Sequence, residues 1–143
     1  MAFSTFSGPL RSGTIREGAS ANVGIVVLSQ TALMTQNGTN VVDSTFQLPA
    51  NAQIIDFNFD VLTAFDSATS ATLSVGTASG GTQYASGVNV KAATGRIAPT
   101  LTAAQLTNMA NITTNTSMVV SITPVGATTA GSVRVTVLYV QNL

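Results

Sequence analysis

The sequence predicts an all-β protein: a two-sheet antiparallel sandwich, jelly-roll-like, with about eight strands, one short helix and an extended N-terminal arm. Short runs rich in Val, Ile and Leu are separated by clusters of Gly, Asn, Pro and Ser, which is the spacing of a sandwich. Strands do not alternate with long helices, as they would in a parallel sheet. The length of 143 residues and the hydrophobic fraction of 45% suit a single core. An immunoglobulin-like sandwich is the alternative, although its Cys and Trp pattern is absent.

Residues 1–22 have an irregular pattern that predicts an arm preceding a sandwich domain at residues 23–143. Glycines and a proline interrupt the arm, and three of the ten charged residues fall within it. Its spaced apolar residues need a surface to pack on, either their own domain or a neighbouring molecule. The candidate contact residues are Phe3, Phe6, Leu10, Arg11, Ile15 and Arg16.

The first predicted strands lie on either side of a turn at Asn37-Gly38. The first covers residues 23–34, and the second covers residues 41–48 and ends before Pro49, which has no amide hydrogen to donate. The Asn-Gly pair is a strong hairpin signal because both residues tolerate positive φ.

The next predicted strand, at residues 54–61, has the clearest alternation in the chain. Ile55, Phe57, Phe59 and Val61 should face the core, and Asp56, Asn58 and Asp60 should face solvent. A weaker alternation at residues 71–75, a turn at residues 79–81 and a run at residues 83–90 predict a strand, a turn and a strand.

One short helix is predicted after Thr102. Thr102 and Gln105 have the spacing of a capping box, and Leu106 and Met109 follow at helical spacing. Residues 118–123 and 132–140 complete the predicted strands. The last should be central in its sheet because both of its faces are partly apolar.

The composition argues against an enzyme. The chain contains no His and no Cys, so the Ser-His-Asp and Cys-His arrangements cannot form. Lys91 is the sole lysine, and no motif places a serine beside it. Asp56 and Asp60 should lie roughly 13 Å apart at about 3.3 Å per residue, beyond the separation of about 5–9.5 Å in glycosidase pairs. We therefore predict no catalytic residues, no cofactor and no metal site, with a structural cation at the carboxylates as the alternative.

The charges indicate the kinds of partner. Net charge is zero and the five basic residues are scattered, so nucleic-acid binding is not expected. No apolar run is long enough for a membrane span, and the N-terminus lacks the features of a signal peptide. A neutral exterior rich in hydroxyl groups favours assembly. The acids at residues 43–66 precede Lys91, Arg96 and Arg134, which indicates either complementary edges between subunits or charges on one solvated surface.

Two aromatic residues outside the clearest strands, Phe65 and Tyr84, could anchor a contact or fill the ends of the sandwich. For Phe3 and Phe6 in the arm, a contact is favoured.

Three segments resemble small structural proteins of tailed bacteriophages: residues 6–18 of the arm, residues 70–77 and residues 102–106. The resemblance implies a capsid decoration or cement protein that binds and stabilises the assembled head. It further implies the major capsid protein as partner, a homo-oligomer, with a trimer favoured, and a place on the outer surface of the virion. The alternative is a tail, fibre or head-spike component that contacts the host surface.

Overall fold

The structure, a computed structural model, describes residues 11–13, 23–91 and 93–141. This part of the chain forms ten strands and one helix. The strands are β1 (Arg11–Gly13), β2 (Val23–Ile25), β3 (Leu28–Thr35), β4 (Val42–Leu48), β5 (Ala52–Thr63), β6 (Ser70–Gly76), β7 (Ala85–Asn89), β8 (Gly95–Ile97), β9 (Thr116–Val125) and β10 (Ser132–Gln141); the helix is α1 (Ala103–Ala110).

Eight of these strands form two antiparallel four-stranded sheets, which confirms the predicted sandwich. One sheet has the order β3-β10-β5-β8 and is called the β10 sheet below; the other has the order β4-β9-β6-β7 and is called the β9 sheet. The pairs are nested: β6 pairs with β7, β5 with β8, β4 with β9, and β3 with β10. The eight strands therefore follow the path of one long hairpin with four successive strand pairs. Two further pairings, β10·β5 and β9·β6, join these pairs two by two into the two sheets.

The core lies between the two sheets. Val133, Val135 and Val137 of the central strand β10 are fully buried beside Phe57 and Phe59 of β5. The phenyl rings of Phe57 and Phe59 stack with their centroids 5.9 Å apart. Apolar side chains of β6 and β9 face them from the other sheet: Ala71, Leu73, Val75, Met118, Val120 and Ile122. The central position predicted for the last strand is correct.

The alternation predicted for β5 fails at Ile55. Phe57, Phe59 and Val61 are buried as expected, but Ile55 is 47% exposed, and Ile54 is buried instead. The register with β10 shifts at this point, where Asp56 pairs with Leu138 and Ile54 pairs with Tyr139. Ile55 is thus the extra residue of a β-bulge, which reverses the faces of all residues before it.

The Asn37-Gly38 turn exists, but it does not make a hairpin. Gly38 has φ +62°, and the Asn40 amide donates to the Asn37 carbonyl. The strands on either side belong to different sheets, because β3 pairs with β10 and β4 pairs with β9. The turn residues predict a reversal of the chain, but they do not specify which strands pair.

Other elements differ at their ends. The first predicted strand divides into β2 and β3, β7 is shorter than predicted, and the three-residue β8 has no counterpart in the sequence analysis. Helix α1 begins as predicted, with Thr102 as its N-cap and Gln105 completing the capping box. Phe65 and Tyr84 are buried, so they fill the sandwich.

Candidate functional surfaces

The predicted arm lies mostly outside the described residues. This holds for Phe3, Phe6, Leu10, Ile15 and Arg16, while Arg11 is described through its backbone. Arg11–Gly13 forms β1, which pairs antiparallel with β2 at Val23–Ile25. The base of the arm therefore makes a two-stranded sheet with the segment that leads into β3, and the contact role of the arm stays a prediction.

An ion-pair network lies on the outer face of the β10 sheet. Asp60 accepts from Arg96 Nε at 2.8 Å and from Arg134 Nη2 at 2.9 Å. These hydrogen bonds, with Arg96 first and Arg134 second, lower the pKa of Asp60 to about 2. Leu33, which is 63% exposed, continues this row across the sheet beside Arg134. Acids and bases that are far apart in sequence thus pair within one molecule.

Hydroxyl groups dominate the outer face of the β9 sheet. Three rows of cross-strand neighbours carry Ser or Thr side chains: Thr45 beside Val119, Ser74 beside Ser121, and Thr72 beside Thr123. Ser121 is fully buried because the β6–β7 loop lies over it, and its hydroxyl accepts from the Gly80 amide at 2.8 Å. Asp43 supplies charge on this face beside Ser121.

The remaining candidates for chemistry have structural roles. Asp66 accepts from the amides of Ala130 and Thr129 and from the Thr129 hydroxyl, at 3.0, 2.8 and 2.6 Å. These bonds lower the pKa of Asp66 to about 2 and join two loops at one end of the sandwich. Lys91 Nζ donates to the carbonyls of Ala68 and Thr69 at the same end, at 3.0 and 3.3 Å.

A cleft of about 310 Å³ opens beside helix α1. Thr107 and Asn108 of the helix line one side, and Asn111, Thr113 and Thr116 line another. Gln83, Tyr84 and Ile112 complete the lining, which contains no charged side chain. The cleft is thus built from amide and hydroxyl groups, which both donate and accept hydrogen bonds.

The helix side of the cleft is fixed by amide side chains. Gln105, which is 6% exposed, donates to the Thr82 carbonyl at 3.0 Å and to the Ser86 hydroxyl at 3.2 Å. Asn108 donates to the Gln83 carbonyl at 3.1 Å. These contacts hold α1 against the segment that carries Tyr84.

The opposite side is fixed by backbone pairing. The amide of Ile112 donates to the Ala52 carbonyl, and the Ile112 carbonyl accepts from the Asn51 amide, both at 2.6 Å. Asn115 Oδ1 accepts from the Ala50 amide at 2.9 Å. Hydrogen bonds within the chain therefore hold both sides of the cleft.

The nearly buried residue Tyr84 lines this cleft. The side chain is 6% exposed, and burial raises the pKa of its hydroxyl. No described residue hydrogen-bonds that hydroxyl, and the enclosed hydroxyls without a partner in this part of the chain are those of Ser67 and Thr128. The Tyr84 hydroxyl is therefore neither enclosed nor hydrogen-bonded to another described residue.

The cleft is not evident from the sequence. Tyr84 is predicted either to anchor a contact or to fill an end of the sandwich, and Asn108 and Asn111 are ordinary polar residues at the end of the helix. The capping box at Thr102 was the available signal, because it placed the helix whose side chains form one wall.

Comparisons with known proteins place the fold. No model of a protein family matches the chain, and no curated protein matches it. A solved structure titled "Cyanophage Pam1 capsid asymmetric unit" contains a similar chain, with 24% identity and a TM-score of 0.58. The two chains share a fold. The match covers 97% of this chain and 99% of the other, so the two are nearly equal in length.

Within residues 11–13, 23–91 and 93–141, no helix is long and apolar enough to cross a membrane. Within the same ranges, no three side chains of the His, Cys, Asp and Glu types are grouped so as to hold a metal ion.

Proposed function

We propose that this chain is a virion structural protein that binds the assembled phage head as a capsid decoration or cement protein. The observation that carries the proposal is the shared fold with a chain of the Pam1 capsid structure, over almost the full length of both chains.

The strand order supports this assignment. Nested pairing of eight strands into two four-stranded sheets is the arrangement of a jelly roll, an architecture used by viral capsid domains. The surface chemistry agrees with a role in assembly, because the chain is neutral and its outer sheet faces carry hydroxyl groups and internally paired charges.

The mechanism is stabilisation by mass action. A protein that binds the assembled shell and not its parts stabilises the shell by RT ln(1 + [L]/Kd) per site, about 2.7 kcal/mol at a hundredfold excess over Kd. Many equivalent sites on a symmetric shell multiply this contribution. We propose the major capsid protein as the partner, the outer capsid surface as the location and a homo-oligomer, with a trimer favoured, as the bound form.

The arm supplies the proposed contact. Phe3, Phe6, Leu10 and Ile15 would pack on neighbouring capsid subunits, with Arg11 and Arg16 pairing with acidic groups there. Pairing of β1 with β2 would hold the base of the arm next to the sandwich.

Addition of the purified protein to heads that lack it tests the function. We expect saturable binding in cosedimentation and a higher temperature of genome release. Protein that has been unfolded by heat before it is added is the control and should not bind. Heads that bind no protein, or whose heat resistance does not change, contradict the proposal, and labelled protein found only at the tail or one vertex assigns the chain to a tail, fibre or spike component.

A further inference from the structure

We propose that the cleft beside α1 binds a small neutral carbohydrate, with the Tyr84 hydroxyl and the Asn111 side chain as its main hydrogen-bonding groups. This inference does not rest on the proposed capsid role, because it depends only on the geometry and chemistry of the cleft.

The absence of charge from the lining selects a neutral ligand. All eight lining residues are uncharged, so an anionic or cationic ligand would lose hydration without gaining a partner of opposite charge. A nucleic acid would in addition need several basic groups for its phosphates, and the lining supplies none.

The polar groups of the lining select a ligand rich in hydroxyl groups. Amides and hydroxyls each donate and accept, as the hydroxyls of a sugar do, so the two sets can satisfy one another. Asn111 and Thr113 have no side-chain partner in the described part of the chain, and both are exposed. The volume of about 310 Å³ is at the lower end of the range for ligand sites, which suits a small sugar.

Tyr84 is the strongest indication that the cleft is a site. Its side chain is buried, so the protein has fixed the position of a hydroxyl that no other described residue hydrogen-bonds. Tyr hydroxyls at buried positions usually have a partner, and a ligand in the cleft would provide one. The frame around it is formed in advance by Gln105, Asn108 and the Ala52–Ile112 pairing, which reduces the entropy lost on binding.

Titration of the full chain with single sugars tests the proposal. The probes are glucose, galactose, mannose and N-acetylglucosamine, with N-acetylneuraminic acid as the anionic comparison, and the readout is the set of backbone amide chemical shifts in NMR spectra. We expect saturable shifts at residues 83–84 and 107–116 with at least one neutral sugar.

Two substitutions probe the assigned groups. Tyr84→Phe keeps the buried ring and removes the hydroxyl, so the fold should remain and affinity should fall about tenfold, the effect of one lost hydrogen bond. Asn111→Ala should weaken binding by a similar factor. Asn58→Ala is the matched control, because it removes a side-chain amide in the β10 sheet and not in the cleft. This variant should bind like the wild type.

Four results would overturn the proposal. The first is that no sugar gives a saturable shift at concentrations well above 1 mM, roughly the dissociation constant of a weak ligand, and the second is that the shifts are confined to other surfaces. The third is that the acidic sugar binds more tightly than every neutral one. The fourth is that folded Tyr84→Phe binds sugar with unchanged affinity. Head binding is measured separately. If the protein binds heads but no sugar, only the proposed sugar site is contradicted, and the proposed capsid function is not.

Discussion

Single side chains hold together neighbouring strands on the surface of this small, weakly charged chain and neighbouring loops at one end of its sandwich. Asp60 forms ion pairs with two arginines on the outer face of the β10 sheet, and Asp66 connects the loops at one end of the sandwich. Gly131 lies against the buried ring of Phe65 at that same end. Each of these residues has one structural role that a substitution can isolate.

Acid should destabilise the protein through Asp60 and Asp66. Folding lowers the pKa of both carboxyls from 3.8 to about 2, so their contribution is complete above pH 3.8 and is lost as pH falls through 2. We expect the free energy of unfolding, measured by urea denaturation, to decrease between about pH 4 and pH 2. Asp60→Asn and Asp66→Asn should each flatten this decrease.

Asp43→Asn is the control for that measurement. Asp43 is exposed and makes no side-chain hydrogen bond with any described residue, so the slope should be the same as in the wild type. A wild-type protein whose stability is constant from pH 4 to pH 2 would show that the two carboxyls contribute nothing.

Gly131→Ala should destabilise the fold by about 3 kcal/mol or more. A Cβ at this position would lie 2.5 Å from the Phe65 ring, and Gly131 has φ +151°. Gly38→Ala separates the two effects, because Gly38 has φ +62° with no atom within 4 Å of the added carbon. It should cost about 1 kcal/mol, and equal losses in thermal denaturation would mean that the Phe65 contact is unimportant.

At the scale of elements, regular alternation in the sequence predicted the strands well, whereas local irregularities such as a β-bulge were not predicted. Phe57, Phe59 and Val61 predicted the inward face of β5, and Thr102 with Gln105 predicted the start of α1. The bulge at Ile55 was not predictable, because it depends on the register with β10, which lies far away in sequence. The short strand β8 exists because three residues pair with β5, and its sequence, Gly95–Ile97, has too few residues to show a period.

Thr102→Ala should weaken helix α1 and lower stability by about 1 kcal/mol. The Thr102 hydroxyl accepts from the Gln105 amide, and the Gln105 side chain accepts in turn from the Thr102 amide. Thr107→Ala is the control, because Thr107 is exposed within the helix and alanine has the better helix propensity. Comparison of urea denaturation midpoints would contradict the prediction if both variants unfold at the same concentration.

At the scale of the whole molecule, the sandwich was predictable and the cleft was not. About eight short predicted strands that do not alternate with long helices allow few architectures, so the fold class follows from the pattern alone. The cleft needs Tyr84 to meet Asn108 and Asn111 at the end of α1, and hydrogen bonds from α1 to residues 82 and 83 bring these two segments together. A period along the chain carries no information on such a meeting.

Deletion of residues 1–22 should leave the sandwich folded and weaken its attachment to heads. Both four-stranded sheets are built from residues that follow this segment. The described part of the segment, β1, pairs with β2. Circular dichroism and cosedimentation with heads provide the two readouts. An unfolded truncated protein would show that the arm belongs to the core, and full retention of head binding would remove the arm from the proposed contact.

The nested pairing of strands has a consequence for the order of folding. The hairpin β6·β7 closes the shortest loop, and each outer pair must close a longer one, so the ladder should form from the inside outwards and β3·β10 should form last. Val88→Ala in β7 should therefore slow refolding in stopped-flow experiments, whereas Met34→Ala in β3 should mainly accelerate unfolding. The reverse pattern would exclude this order. Until β3 arrives, one edge of β10 is open to strands of other chains, so newly made protein is most prone to aggregation during that interval.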